Sequence, residues 1–308
     1  ASQSAGITSM SHRKIFRRRK MSEFAIIGTT ASGKSDLALE IARENGGVIL
    51  SLDSLCVYRK IDIASAKPSA DELREIRHFG VNLVEPNEKF SAGDFAREYL
   101  KARDFALKND VNLIITGGSG FYLKALLSGL APQIPDFDEF PSNDEIWALA
   151  QENDAEFVAK FSANDTFRLQ KWFSIFKFCG FAPSKFLREN TAEPVIKNLK
   201  IFEILRDKDE IRERILARTN LMIERGLIDE ARALFSEFGR DAKALKSIGL
   251  KECAQFLDGE ISLEKLVELI STHTAQLAKR QRTFNRSQFN TTSADFDLIK
   301  AQIEGFLR

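Results

Sequence analysis

The sequence predicts an α/β fold: a parallel sheet wrapped by helices, with a smaller helical insert. Three observations carry this reading. Short β-type runs alternate with helical ones through residue 130, the texture turns Pro-rich and then helical after it, and 308 residues suit a large unit plus a smaller one. Alternation implies a parallel sheet because each strand must be followed by a crossover, usually a helix, before the next can pair in the same direction.

The elements follow in order. Residues 1–20 hold six Lys or Arg (Arg13, Lys14, Arg17, Arg18, Arg19, Lys20) and no acid, and precede Met21. They read as a basic N-terminal extension outside the fold, with a transit peptide or an RNA-binding arm as sharper alternatives. Residues 24–28 read as a strand, 33 to about 45 as a helix, 48–52 and 81–84 as strands. Ser91 with Asp94 forms a capping box for a helix whose apolar face includes Phe95, Tyr99, Ala102 and Phe105. Residues 111–116 form a further strand, ending at Gly117-Gly118.

After Leu130, Pro132, Pro135 and Pro141 with five acids interrupt residues 131–145, the natural domain break. Helical patterns run to Gly180, a β-like stretch covers 195–205, and Asp207 with Glu210 caps a long helix ended by Gly226. The rest, to Arg308, reads as almost entirely helical. The divisions are therefore 1–20, a core of 21–130, an insert of 131–193, and 194–308 completing the core and adding C-terminal helices.

Composition narrows the function classes. A hydrophobic share of 44% and a charged share of 29% are those of a soluble protein, and no apolar run approaches the ~18 residues a membrane helix needs. The net charge of +1 conceals an asymmetry: without the N-terminal six, 39 basic residues face 44 acidic ones. Nucleic acid would then be bound by a local basic patch rather than by the whole surface. Three cysteines (Cys56, Cys179, Cys253) lie far apart and read as small buried residues, with neither a zinc site nor a disulfide framework.

Gly28-Thr29-Thr30-Ala31-Ser32-Gly33-Lys34-Ser35 is a complete phosphate-binding loop, following a strand and opening a helix as its mechanism requires. It makes the fold P-loop NTPase-like. The loop amides and helix N-terminus cradle phosphate oxygens, Lys34 adds a point charge, and Ser35 is placed to hold Mg²⁺. The acid of a Walker B strand is missing: the strand 111–116 ends in Thr116-Gly117-Gly118-Ser119. Another strand instead ends at Asp53, at the carboxyl edge where open α/β sheets bind ligands. Asp53 reads equally as a metal ligand, a cap, or a base for a proton near the phosphates.

The loop, then Asp53-Ser54-Leu55-x-x-Tyr58, Ala66-Lys67-Pro68, Gly117 to Tyr122, Asn164-Asp165-x-x-Arg168-Leu169, Lys246 to Lys251 and Lys279-Arg280-Gln281-Arg282 stand in this order over residues 24–286. Together they resemble the tRNA dimethylallyltransferases, also called tRNA isopentenyltransferases. The resemblance implies transfer of a dimethylallyl group from dimethylallyl diphosphate to N6 of the adenine at position 37, beside the tRNA anticodon. The loop then holds a leaving group, which fits the missing acid, since no water is activated. Asp53 takes or orients the N6 proton, and Lys34, Ser35 with Mg²⁺, and Arg218 stabilise the departing diphosphate.

The same resemblance assigns Asp53, Ser54, Leu55, Cys56, Ser119, Arg168, Lys171, Lys246, Lys251, Lys279, Arg280, Arg282 and Arg286 to the tRNA side. Lys279, Arg282 and Arg286 share one side of a helix, a stripe able to track phosphates. Arg214, one turn before Arg218, reads as a surface residue. The aromatic run around Trp172 reads as core, with no base-stacking platform. A channel between the two domains is expected, because the target base must leave its stack.

Departures from the family pattern are Thr29 for Pro, Ser119 for Thr, Phe284-Asn285 for Trp-Leu, and Pro141 where many members carry a basic residue. The implied partners are the tRNA anticodon stem-loop and dimethylallyl diphosphate, with no membrane, for a cytoplasmic monomer. An adenylate isopentenyltransferase acting on free nucleotide is the nearer rival and a P-loop kinase the more distant one.

Overall fold

Residues 24–27, Phe-Ala-Ile-Ile, are apolar without alternation, the signature of a strand covered on both faces. In the computed structural model, which describes residues 21–135 and 137–308, they lie in β1 (Glu23–Gly28) at the heart of a six-stranded sheet. The others are β2 (Gly47–Ser51), β3 (His78–Phe79), β4 (Asn112–Gly117), β5 (Lys200–Ile204) and β6 (Thr292–Ala294). The order is β3-β2-β4-β1-β5-β6, with every pairing parallel. The reading of residues 1–20 as a basic extension lies outside the described residues.

Because side chains alternate across a strand, the sheet feeds two cores. Ala25, Ile27, Val48, Leu50, Leu113 and Ile115 point to one side, where α3 (Ala92–Asn109) and α4 (Gly120–Ser128) supply Phe95, Tyr99 and Leu123. Phe24, Ile26, Ile49, Ile114, Phe202 and Ile204 point to the other. There α1 (Lys34–Asn45) supplies Leu37 and Ile41, and the C-terminal helix supplies Ile299 and Ile303. The short α2 (Ala70–Glu75) lies between β2 and β3.

The insert comprises α5 (Asn143–Asn153), α6 (Ala155–Lys160), α7 (Thr166–Cys179) and α8 (Pro183–Asn190), around Ile146, Ala150, Phe157, Leu169 and Trp172. Asp154, only 4% exposed, fastens these helices. It caps α6 through Phe157 N at 3.1 Å and accepts Trp172 Nε1 at 3.0 Å and Ser184 N at 2.9 Å. Beyond β5 come α9 (Lys208–Glu224), α10 (Leu227–Phe238), α11 (Leu250–Leu257), the 26-residue α12 (Leu263–Gln288) and α13 (Phe296–Leu307). A further core joins Ile61 and Ala64 to Leu227, Leu234, Leu250, Leu266 and Ile270.

Several expectations change. Residues 81–84 are no strand, and the sheet is reached instead by His78–Phe79. Gly80 then turns left-handed (φ 78°) with its Cα so near Ser51 that a Cβ would meet Ser51 O at 2.7 Å, and Asn82 (φ 55°) turns the chain again. Only a single bridge, Tyr58 to Val84, remains. The 195–205 stretch is strand only from Lys200 to Ile204. Asp207 does cap α9, through Asp209 N at 2.7 Å, but Glu210 pairs with Arg206 instead of completing a box. Cys179 is half-buried, not buried, because it closes α7 beside exposed Gly180; Cys56 and Cys253 are buried. Trp172 is core as expected, whereas Phe167 (79% exposed) and Phe178 are not.

Candidate active site

The phosphate-binding loop leaves β1 at Gly28 and enters α1 at Lys34. A Cβ on Gly28 would lie 2.7 Å from Ser32 Oγ, so only glycine lets the loop close on itself here. Ser32 N donates to Thr29 O at 3.2 Å, and Gly33 adopts φ 91° to start the helix. The first-turn amides of α1 have no acceptor within the helix and sit at the positive end of its dipole, a ready anion site.

Cations surround this turn. Lys34 Nζ donates to Thr29 O at 3.0 Å. Some of the residue is exposed, but the ammonium is enclosed by protein, and burial pulls its pKa down to about 8, with Arg218 adding to the drop and Asp53 opposing it. Arg218 Nη1 donates to Thr30 Oγ1 at 3.2 Å, and its own pKa is lowered by burial. Two partly buried cations that line one cavity, each with its pKa lowered by burial, mark a place suited to an anion.

The loop is also gripped from outside by side chains that sequence reasoning missed. Arg206 Nε donates to Ser32 O at 2.7 Å, and Arg214 Nε donates to Ala31 O at 2.7 Å. The surface reading of Arg214 is thus overturned: the face it shares with Arg218 is the face of α9 that packs on the loop, and that one-turn spacing was the available signal. Gln281 Oε1 accepts Thr30 N at 2.7 Å while its Nε2 donates to Gly118 O at 3.0 Å. One amide therefore ties α12 to both the loop and the end of β4.

Asp53 stands just past β2, on the same carboxyl edge. Its Oδ1 accepts Leu55 N at 2.8 Å and Cys56 N at 3.3 Å, so of the three open roles the capping one is filled, by one oxygen. Oδ2 accepts no hydrogen bond from the described residues. Ser119 Oγ accepts Ser54 N at 3.1 Å, and Ser119 N donates to Leu52 O at 2.9 Å, joining the two strand ends. Cys56, offered for the tRNA side, has its thiol buried against Ser65 O at 3.8 Å, and burial pushes its pKa up to about 12. It contributes wall rather than a donor.

Asp53, Lys34, Thr30, Arg218 and Gln281 line one cavity of about 250 Å³. A wider recess of about 840 Å³, lined by Arg214, Arg225 and Lys67, shares Lys34, Ser35 and Arg218 with it. The loop therefore borders two adjoining cavities, and neither is lined by a residue of the insert 131–193, so they are not the channel between the two domains that the sequence predicts.

The basic residues divide by partner. Lys279, Arg280, Arg282 and Arg286 are exposed on α12, and none has a carboxylate within 4 Å among the described residues. Arg282 Nη2 donates to Arg206 O at 3.3 Å. Lys171 on α7 is exposed, while Arg168 pairs with Asp165 and lies 5.0 Å above the Phe161 ring. Lys246 and Lys251 lie 3.5 Å from Asp241 and 3.4 Å from Glu252. Buried Glu252 in turn accepts Gly249 N at 2.7 Å and contacts His273 Nδ1 at 2.6 Å, fixing the turn between those lysines. Among the described residues no helix is long and apolar enough to cross a membrane.

A family model described as IPP transferase matches residues 56–288. This chain belongs to the IPP transferase family. Within that family, it is 62% identical to the tRNA dimethylallyltransferase of Campylobacter curvus, over 93% of this chain and 97% of that one. It is 47% identical to that of Aliarcobacter butzleri, over 92% and 98%. The solved tRNA isopentenylpyrophosphate transferase of Bacillus halodurans superposes with a TM-score of 0.68 at 27% identity, covering 94% of this chain and 96% of that one. The IPP transferase fold extends to a eukaryotic dimethylallyltransferase acting on tRNA, at a TM-score of 0.72 and 23% identity over 89% and 74%.

Proposed function

We propose that this protein transfers the dimethylallyl group of dimethylallyl diphosphate to N6 of the adenine at position 37, next to the anticodon of a tRNA, releasing diphosphate. The observation that carries the reading is Asp53: one carboxylate oxygen is held by its own turn, and the other is left to a cavity that also contains Lys34 and Arg218. A proton acceptor and a diphosphate site then face one reaction space. The names of the relatives, tRNA dimethylallyltransferases, agree with it.

N6 attacks C1 of the dimethylallyl group as the C1–O bond breaks. The electron pair of that bond leaves on the diphosphate, and the N6 proton passes to Asp53. Lys34, Arg218 and the first-turn amides of α1 meet the negative charge that grows on the leaving oxygen. Leu55, Ile215, Met222, Ile248, Ile270 and Leu277 give the cavity apolar wall, suited to a five-carbon chain and to keeping water from a carbocation-like centre.

Mg²⁺, when bound, neutralises part of the diphosphate charge. Ser35, exposed at the mouth of the loop, is the residue that would hold it, and among the described residues no group of three or more His, Cys, Asp or Glu could cage a metal. That donor set fits an ion that keeps several waters and is held chiefly by phosphate oxygens. Lys279, Arg280, Arg282 and Arg286, with Lys171, track the backbone of the anticodon stem-loop, and the protein works in the cytoplasm as a monomer.

Incubating the protein with labelled dimethylallyl diphosphate and either unmodified tRNA or AMP tests the proposal. Label on tRNA is the expected result. Label on AMP alone, or none on either, refutes it.

A further inference from the structure

The loop contains a residue that local sterics disfavour. Ala31 sits at φ 63°, in the left-handed region, where an alanine Cβ crowds its own carbonyl and only glycine is at ease. Its carbonyl oxygen receives Arg214 Nε at 2.7 Å, from a helix 183 residues later in the chain. No local feature of the loop requires that contact. Ser32 Oγ, buried within the same turn, has no hydrogen-bond partner among the described residues, and the loop's own side-chain contact, Lys34 Nζ on Thr29 O, does not reach the Ala31 carbonyl.

We infer that Arg214 is a positioning residue for the diphosphate site: by holding the Ala31 carbonyl outward it keeps the 31–32 peptide in the left-handed turn and the loop amides aimed inward at the ligand. Arg218, one turn later, acts on the other side of the loop through Thr30 and the shared cavity. The division of labour follows from α9 geometry, since residues four apart stand one above the other along the loop. Arg214 also lines the wider recess, whose walls include Lys34 and Ser35 but not Asp53. The inference rests on the proposed diphosphate role of the loop.

The test measures binding of inorganic diphosphate with Mg²⁺ by calorimetry, together with KM for dimethylallyl diphosphate and kcat. Arg214→Ala is expected to weaken diphosphate about tenfold or more and to raise KM more than it lowers kcat, with tRNA affinity unchanged. Arg214→Lys, which reaches the carbonyl with a single donor, is expected to recover part of the loss. Ala31→Gly removes the steric penalty, so in the Arg214→Ala background it is expected to restore affinity by roughly tenfold.

Thermal unfolding of each variant separates loss of the loop shape from loss of the fold. Undiminished diphosphate binding by Arg214→Ala overturns the inference. So does a loss that Ala31→Gly fails to relieve, because Arg214 would then act by touching the ligand directly. Failure of the unaltered protein to bind diphosphate at all would instead refute the functional reading.

Discussion

Replacing Lys34 by methionine is expected to stabilise the ligand-free protein while destroying its grip on diphosphate. Burial, reinforced by Arg218, lowers the Lys34 pKa from 10.5 to about 8. Below pH 8 the ammonium is charged in both folded and unfolded chains, and the gap of roughly 2.5 pH units corresponds to a cost of about 3 kcal/mol for keeping that charge enclosed. Between pH 8 and 10.5 the folded protein sheds the proton while the unfolded chain keeps it. The unfolded state then binds more protons, so stability rises with pH across this window. Methionine, similar in length and uncharged, removes both the cost and its pH dependence.

At roughly 2 °C per kcal/mol for a chain of this size, the variant should melt about 6 °C higher at pH 7, with the advantage fading toward pH 10. Diphosphate reverses the balance by drawing the proton back onto Lys34, so its affinity should fall as pH rises above 8. Melting curves of both proteins from pH 7 to 10, with and without diphosphate and Mg²⁺, check each point. Parallel pH profiles for the two ligand-free proteins would refute the reasoning.

Asp53→Asn preserves an oxygen for Leu55 N and Cys56 N but cannot take a proton. It should lower kcat by about 10²–10⁴ with substrate affinities nearly intact, whereas Asp53→Ala also loses the turn and about 1–2 kcal/mol of stability, read by chemical denaturation. Lys279→Ala with Arg286→Ala should weaken tRNA binding and reduce its log–log salt slope by roughly one to two, measured by filter binding from 50 to 200 mM salt; an unchanged slope removes both from the interface. Gln281→Glu keeps an acceptor for Thr30 N but sets a carboxylate against Gly118 O and beside the diphosphate site. A KM for dimethylallyl diphosphate raised at least tenfold is expected, and an unaltered KM would show that the Gln281 bridge does not shape the loop.

Much of the site is legible in the order of residues because its parts are local. Gly28 to Ser35 needs only a strand before it and a helix after it, and the end of β2 puts Asp53 on the carboxyl edge of any parallel sheet. Ser91 and Asp94 lie within one turn, so their capping box could be read directly and is present. Residues 81–84 misled because their apolar pattern says nothing about Gly80 being pressed against Ser51, a contact between segments about thirty residues apart.

What only the tertiary structure decided are the contacts reaching far along the chain: Arg206 and Arg214 on the loop carbonyls, Gln281 between Thr30 and Gly118, and Glu252 beneath the turn from Lys246 to Lys251. A helical arginine looks alike in sequence whether it faces water or a carbonyl 183 residues away. Its role is set by the direction in which packing points its helix. The sequence by itself determined a phosphate cradle and a carboxylate on one sheet edge, since strand, turn and helix are short-range choices. Tertiary packing decided how that cradle is held, because hydrogen bonds to its backbone come from helices whose positions depend on the whole sheet.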